Sequence, residues 1–277
     1  MIVRAPATSA NLGPGFDCAA VALELWNELE IGDGEGVTVE GEGAGELPGD
    51  HTNVAVRAYA LVGDPAGRRF RFLNRIPLER GLGSSAAAIA LGLVAAAPAA
   101  PFEELLAAGL TLEDHADNLA AALLGGVTLA WDGHAARVAE ALPLAPVAVV
   151  PQTRVSTAAS RATLPETVSH ADAAATAARA ALLGAGAAGQ DAALFTAALT
   201  DRLHEPYRAS PVLDAIRADL PPGCEGATLS GSGPTVVAWA SDSAACADAL
   251  RGRFPTADVV RLRVAPHGAI GSRTMQA

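Results

Sequence analysis

In Pro77-Leu-Glu-Arg-Gly-Leu-Gly-Ser-Ser-Ala-Ala-Ala88, two glycines and two serines run straight into an alanine-rich segment, 85–97, that reads as a helix. Small residues let a ligand approach the main chain, and the free N–H groups at a helix start favour an anion. Phosphate oxygens are the natural occupant. The segment has no lysine where GxxxxGK[ST] requires one, so it is not a Walker A loop. Ser84 and Ser85 remain to donate hydroxyls or to help hold Mg2+. The same residues also describe a serine-capped turn ahead of a core helix.

Outward from this loop, strand and helix patterns follow one another. Residues 2–5 are β-prone, and 19–31 place Val21, Leu23, Leu25, Leu29 and Ile31 at alternate positions, so the two segments can pair. Further strands are expected at 37–40, 69–73, 127–131 and 146–150, and helices at 53–62, 102–109 and 112–124. After Pro151 come alanine-rich helical stretches at 166–183 and 192–204, with Pro206 and Pro211 marking breaks. The end reads as strands at 227–229, 235–240 and 258–264, with a helix at 244–254. Together these predict an α+β chain of two domains, 1–150 and 151–277.

The 277 residues are 51% hydrophobic and 18% charged, enough to bury a full core. Nineteen Lys and Arg stand against 30 Asp and Glu, a formal charge of −11, which argues against nucleic acid or an anionic membrane as partner. Cys18, Cys224 and Cys246 form no CxxC pair, and the opening residues lack the continuous apolar stretch of a secretion signal. A reduced, cytoplasmic setting is expected. The uncharged run 81–102 is long enough to cross a bilayer, yet it is mostly Ala and Gly and is broken by Pro98 and Pro101. It reads as a buried helix.

Two more segments are rich in glycine and hydroxyls. Ala5-Pro-Ala-Thr-Ser-Ala-Asn-Leu-Gly-Pro-Gly-Phe-Asp17 places Thr8, Ser9, Asn11 and Asp17 on what reads as a Gly/Pro-shaped loop, either a site for a small polar molecule or a solvated turn. Thr228-Leu-Ser-Gly-Ser-Gly-Pro-Thr235 lies between two strand-like segments and suits a hairpin or a site.

In this order the three segments resemble the motifs of the superfamily named for galactokinase, homoserine kinase, mevalonate kinase and phosphomevalonate kinase. The homoserine kinases are the nearest branch. Glu113-Asp-His-Ala-Asp-Asn118 with Leu123-Leu-Gly-Gly126, the segment Pro151 to Arg161, and Glu205-Pro-Tyr-Arg208 are similar to further segments of that branch. Asp114 and Ala116 replace its Gly and Pro around His115, and the chain is short for the family. The resemblance implies a ribosomal-protein-S5-like N-terminal domain and a ferredoxin-like C-terminal domain. It also implies ATP-dependent phosphorylation of the L-homoserine hydroxyl in threonine biosynthesis, by a cytoplasmic homodimer that uses Mg2+.

Roles follow from the resemblance residue by residue. Pro77, Glu79, Arg80, Gly81, Leu82, Gly83, Ser84, Ser85 and Ala86 would bind ATP, the loop 81–85 wrapping its triphosphate, with Asn53 near the adenine. Glu113 with either Ser84 or Ser85 would hold Mg2+. Arg161 and Arg208 would clamp the acceptor carboxylate, a task suited to guanidinium forks. Asn11, Asp17 and Gly231 would complete the acceptor site, and Asn118 would lie beside its hydroxyl. Asn118, Glu113 and Ser85 form the catalytic set. Asparagine takes no proton at neutral pH, so direct transfer without a strong protein base is expected. Asp117 and His115 read as structural. Two rivals are another small-molecule kinase of the superfamily, of mevalonate or shikimate type, and a non-catalytic nucleotide-binding regulator.

Overall fold

The computed structural model describes residues 1–271. Two strands open the chain, β1 (Ile2–Asn11) and the 19-residue β2 (Gly15–Asp33), paired antiparallel from Ile2↔Glu30 to Asn11↔Gly15. The expected pairing is therefore present. The Ala5 to Asn11 part of the first motif is strand rather than loop, and only Leu12 to Pro14 make the turn. Then come β3 (Gly36–Gly41), α1 (Val54–Val62), β4 (Arg68–Asn74), α2 (Ser84–Ala96), α3 (Phe102–Gly109) and α4 (Ala116–Leu124). The strands β5 (Val127–Trp131) and β6 (His134–Ala139) close a six-stranded sheet in the order β3-β4-β2-β5-β6, with β1 on β2.

A second sheet contains β7 (Ala145–Val150), β8 (Cys224–Leu229), β9 (Val236–Ala240) and β10 (Asp258–Arg261), in the order β10-β7-β9-β8. Between β7 and β8 lie α5 (Thr157–Arg161), α6 (His170–Gly189), α7 (Ala192–Ala198) and α8 (Pro211–Ala218), and α9 (Ser243–Arg253) joins β9 to β10. In chain order this is 4-1-3-2 with all pairs antiparallel, the split βαβ plan of ferredoxin-like sheets. The six residues of β7 already belong to this sheet, ahead of the expected division after 150, and a Leu23–Val264 bridge returns the segment after β10 to β2.

Alternation along β7 explains how the two halves join. Val147 and Val149 face a core shared with Leu213, Ile216 and Leu250, whereas Ala148 and Val150 join the main core between the sheets. Trp239 and Phe195 meet edge to face in that main core, 5.3 Å between centroids. The uncharged run resolves as α2, with nine residues buried, and no helix among the described residues is long and apolar enough to cross a membrane. Burial of nearly every residue from Ala86 to Ala95 explains its lack of amphipathic pattern.

Several boundaries differ from those expected. The helix placed at 112–124 begins only at Ala116, because Leu112 and Glu113 turn back to bond the Gly109 carbonyl. The helix placed at 192–204 stops at Ala198, and the strand placed at 258–264 stops at Arg261. β6, α5 and α8 lie outside the expected elements: the first two are short and mostly exposed, and α8 begins at the Pro211 read as a break. Proline at the first helical position starts a helix instead of ending one.

Candidate active site

The three glycine-rich segments meet. Leu82 O accepts from Thr8 N at 3.1 Å, Ala10 O from Gly231 N at 3.1 Å, and Arg80 O from Thr235 N at 3.3 Å. The Ser230 hydroxyl lies 2.6 Å from Gly81 O and 2.9 Å from Ser9 Oγ. Gly81 and Gly83 have φ of 75° and 67°, and a Cβ would strike Ser230 O at the first and Thr8 Oγ1 at the second. Glycine is required at both positions for handedness and for space. Gly83 caps α2 without a side-chain bond, so the first N–H groups of that buried helix open onto a cleft of about 340 Å³.

Around that cleft stand Asn11, Asp17, Pro77, Glu79, Arg80, Gly81, Leu82, Gly83, Ser84, Ser85, Ala86, Glu113, Asn118, Arg161, Arg208 and Gly231. Of the residues singled out from the sequence, Asn53 stands apart. Its side chain caps α1, accepting from Ala55 N at 3.0 Å and donating to Pro48 O at 3.0 Å, and it is not among the lining residues. Both bonds belong to the helix start.

At one end of the cleft, Glu113 Oε1 and His115 Nδ1 are 2.5 Å apart. Burial raises the Glu113 carboxyl, but bonds from His115 and Ser85 and the imidazole charge outweigh it, and the net position is below the usual range. The same bond raises His115 against the opposing effect of burial. Glu113 is thus an anion at neutral pH beside a serine hydroxyl. His115, read from the sequence as structural, also lines the cleft.

In the middle, the Asn118 carboxamide is held from two sides. Its Oδ1 accepts from Thr8 Oγ1 at 2.6 Å and its Nδ2 donates to Asp117 Oδ1 at 3.3 Å. Asp117 is 2% exposed, and burial raises its carboxyl to about 6 although Asn118 N–H bonds to it.

At the other end, Arg161 Nη2 donates to both Asp17 oxygens at 2.7 and 2.9 Å. The guanidinium carbons of Arg161 and Arg208 each lie 5.4 Å from the centroid of the Phe16 ring. Arg208 is buried, and desolvation together with the Arg161 charge lowers its ionisation. Its Nη1 donates to Gly231 O at 2.9 Å, whereas its Nε is buried with no partner among the described residues. Asn11 Nδ2 reaches the same Gly231 carbonyl at 3.1 Å, and Asn11 Oδ1 accepts from Asp17 N.

Sequence inspection passed over a further set. Asp201, His204 and Glu205 are buried beneath Arg208. Glu205 accepts from Arg217 at 2.7 Å and from Leu229 N at 2.9 Å, tying the turn to the strand that leads into the third glycine segment. A histidine four residues ahead of an arginine was the available signal.

A helix start open to the cleft, an acid beside a serine hydroxyl, and two arginines share one cleft, a set that suits phosphoryl transfer to a small molecule. The family models agree: GHMP kinases N terminal domain matches residues 53–126, and GHMP kinases C terminal matches 174–256. The homoserine kinase of Desulfitobacterium hafniense is 38% identical over 96% of this chain and 98% of its own. That of Streptomyces coelicolor is 42% identical over 90% and 88%. The crystal structure of homoserine kinase from Cytophaga hutchinsonii superposes with a TM-score of 0.82 at 27% identity, covering 96% of both chains. The chain belongs to the homoserine kinase family of the GHMP kinases.

Proposed function

We propose that the protein transfers the γ-phosphoryl group of ATP to the hydroxyl of L-homoserine, giving O-phospho-L-homoserine in threonine biosynthesis. The observation that carries this is the pair of guanidinium groups, Arg161 and Arg208, on the Phe16 ring in the same cleft as the α2 N-terminus. Phosphate at the helix start and a carboxylate at the arginines would set an acceptor hydroxyl between them, beside Asn118. Asp17 supplies the anion that the substrate ammonium needs. That ammonium would share the carboxylate with Arg161, whose Nη2 donates to both of its oxygens.

The loop from Pro77 to Ala86 would hold the triphosphate through main-chain N–H groups, the Ser84 and Ser85 hydroxyls and Arg80. One carboxylate and one hydroxyl, Glu113 and Ser85, fit Mg2+, which takes its remaining ligands from phosphates and water. When bound, the ion would neutralise charge on the phosphates. Ser84 is the alternative hydroxyl. Asn118 orients the acceptor hydroxyl and accepts no proton, so the proton passes to phosphate or water. The loose transition state permits this because little deprotonation is needed early. The units 1–150 and 151–277 would then supply the nucleotide loop and the acceptor arginines respectively, in a cytoplasmic homodimer.

ADP release at saturating ATP and Mg2+ tests the pocket directly. Turnover is expected with L-homoserine and only background with 3-aminopropan-1-ol, which keeps the amine and hydroxyl but lacks the carboxylate. Equal turnover of the two would overturn the assignment.

A further inference from the structure

His204 is completely buried, yet both of its ring nitrogens are used. Nε2 lies 2.8 Å from Gly13 O, in the turn of the first motif, and a carbonyl can only accept, so Nε2 carries the proton. Nδ1 is then a lone pair, and Arg208 Nη1 lies 3.2 Å from it. The ring also stacks on Phe16, 5.0 Å between centroids at 22°. Phe16 in turn lies under the Arg208 guanidinium. Arg208 is therefore fixed on three sides: by the aromatic face, by Gly231 O and by the His204 lone pair.

This arrangement works only with a neutral imidazole, because a second ring proton would oppose the arginine N–H. Burial, reinforced by the Arg208 charge, lowers His204 to about 4 despite Asp201 nearby. Asp201 has a different task. Its carboxylate accepts from the main-chain N–H groups of Leu203, His204 and Glu205, and so caps the turn that carries both His204 and Arg208.

We propose that His204 is a positioning residue for acceptor recognition: its Nδ1 aims the Arg208 guanidinium, and its Nε2 ties that aim to the first-motif turn at Gly13. The proposal rests on Arg208 meeting the acceptor carboxylate. It goes further by giving the unpaired Arg208 Nε and the free edge of the fork a defined direction. A fork holds a carboxylate bidentately only when both donors point correctly, so loss of aim weakens acceptor binding before it affects nucleotide binding.

Three variants separate the functions of the ring. His204→Phe keeps the stack and loses both bonds. His204→Gln can still reach Gly13 O but offers no acceptor at the Nδ1 position, whereas His204→Asn places a carbonyl oxygen there. Steady-state kinetics with L-homoserine and ATP, beside thermal melting, would give the KM for each substrate. The expected result is a homoserine KM raised about tenfold or more in the Phe and Gln variants, with the ATP KM within about twofold. The Asn variant should recover most of the loss. Arg208→Ala and the double variant His204→Phe/Arg208→Ala complete a cycle. With Arg208 absent, the His204 change should no longer alter the homoserine KM.

A homoserine KM that Arg208→Ala changes but no His204 variant does would overturn the inference while leaving the function intact. A KM that Arg208→Ala itself leaves unchanged would instead sink the carboxylate assignment. Additive losses across the cycle, or an Asn variant no better than Gln, would show that His204 serves the fold alone.

Discussion

Replacing Thr8 by valine removes one hydroxyl from the centre of the site and leaves the shape of the side chain almost unchanged. Thr8 is fully buried, and its Oγ1 donates to Asn118 Oδ1 at 2.6 Å. No cavity opens, so the effect on stability is that of one hydrogen bond, about 1 kcal/mol. The effect on turnover should be larger. The hydroxyl fixes which end of the carboxamide faces Asp117, since Nδ2 donates to that carboxylate only while Oδ1 faces Thr8. If valine reduces the competent orientation to about a tenth, kcat falls about tenfold, equivalent to about 1.4 kcal/mol. Coupled ADP release at saturating homoserine would read this, with thermal melting as control. Thr8→Ser should stay within about twofold of the parent. A valine variant with unchanged kcat would show that the Thr8 bond does not orient Asn118 for the reaction.

Arg161 and Asp17 are each nearly half exposed, so Arg161→Ala should shift stability by no more than about 0.5 kcal/mol while raising the homoserine KM about tenfold or more; unchanged homoserine kinetics would remove Arg161 from the site. Glu113→Gln should raise the Mg2+ concentration for half-maximal rate several-fold. It should also let His115 titrate at lower pH, because the carboxylate is what raises that imidazole; a His115 NMR titration that does not move would contradict the pairing. Asp117 is raised from 3.8 to about 6, so its contribution to stability is fully present below about pH 4 and is lost as pH rises through about 6. Asp117→Asn should abolish that part of the pH dependence. Urea midpoints of variant and parent should therefore diverge between about pH 4 and 6, and parallel curves would refute the buried charge.

Local signals made much of this legible. Alternation at Val21, Leu23, Leu29 and Ile31 marks β2, and the 85–97 expectation falls within a residue of α2, because both patterns are written in consecutive residues. The glycines at 81 and 83 announced a close backbone approach, although what they approach, Ser230 O and Thr8 Oγ1, lies far off in the chain. Contacts of that kind explain what was missed. Nothing near His204 indicates that Gly13 sits 191 positions away in sequence and 2.8 Å away in space. The bond between Arg161 and Asp17 is equally remote, and it shows that two residues given separate tasks form one charged unit. Asn53 shows the opposite case: its cap on Ala55 N, two residues on, is local and was legible as a helix start.

The central claim is that this cleft joins an ATP phosphate to the hydroxyl of a particular amino acid. Initial ADP release with ATP, Mg2+ and, in turn, L-homoserine, L-serine, shikimate and mevalonate measures it most directly. Turnover with L-homoserine alone is the predicted result. Turnover with mevalonate or shikimate in its place, or with none of the four, would contradict it.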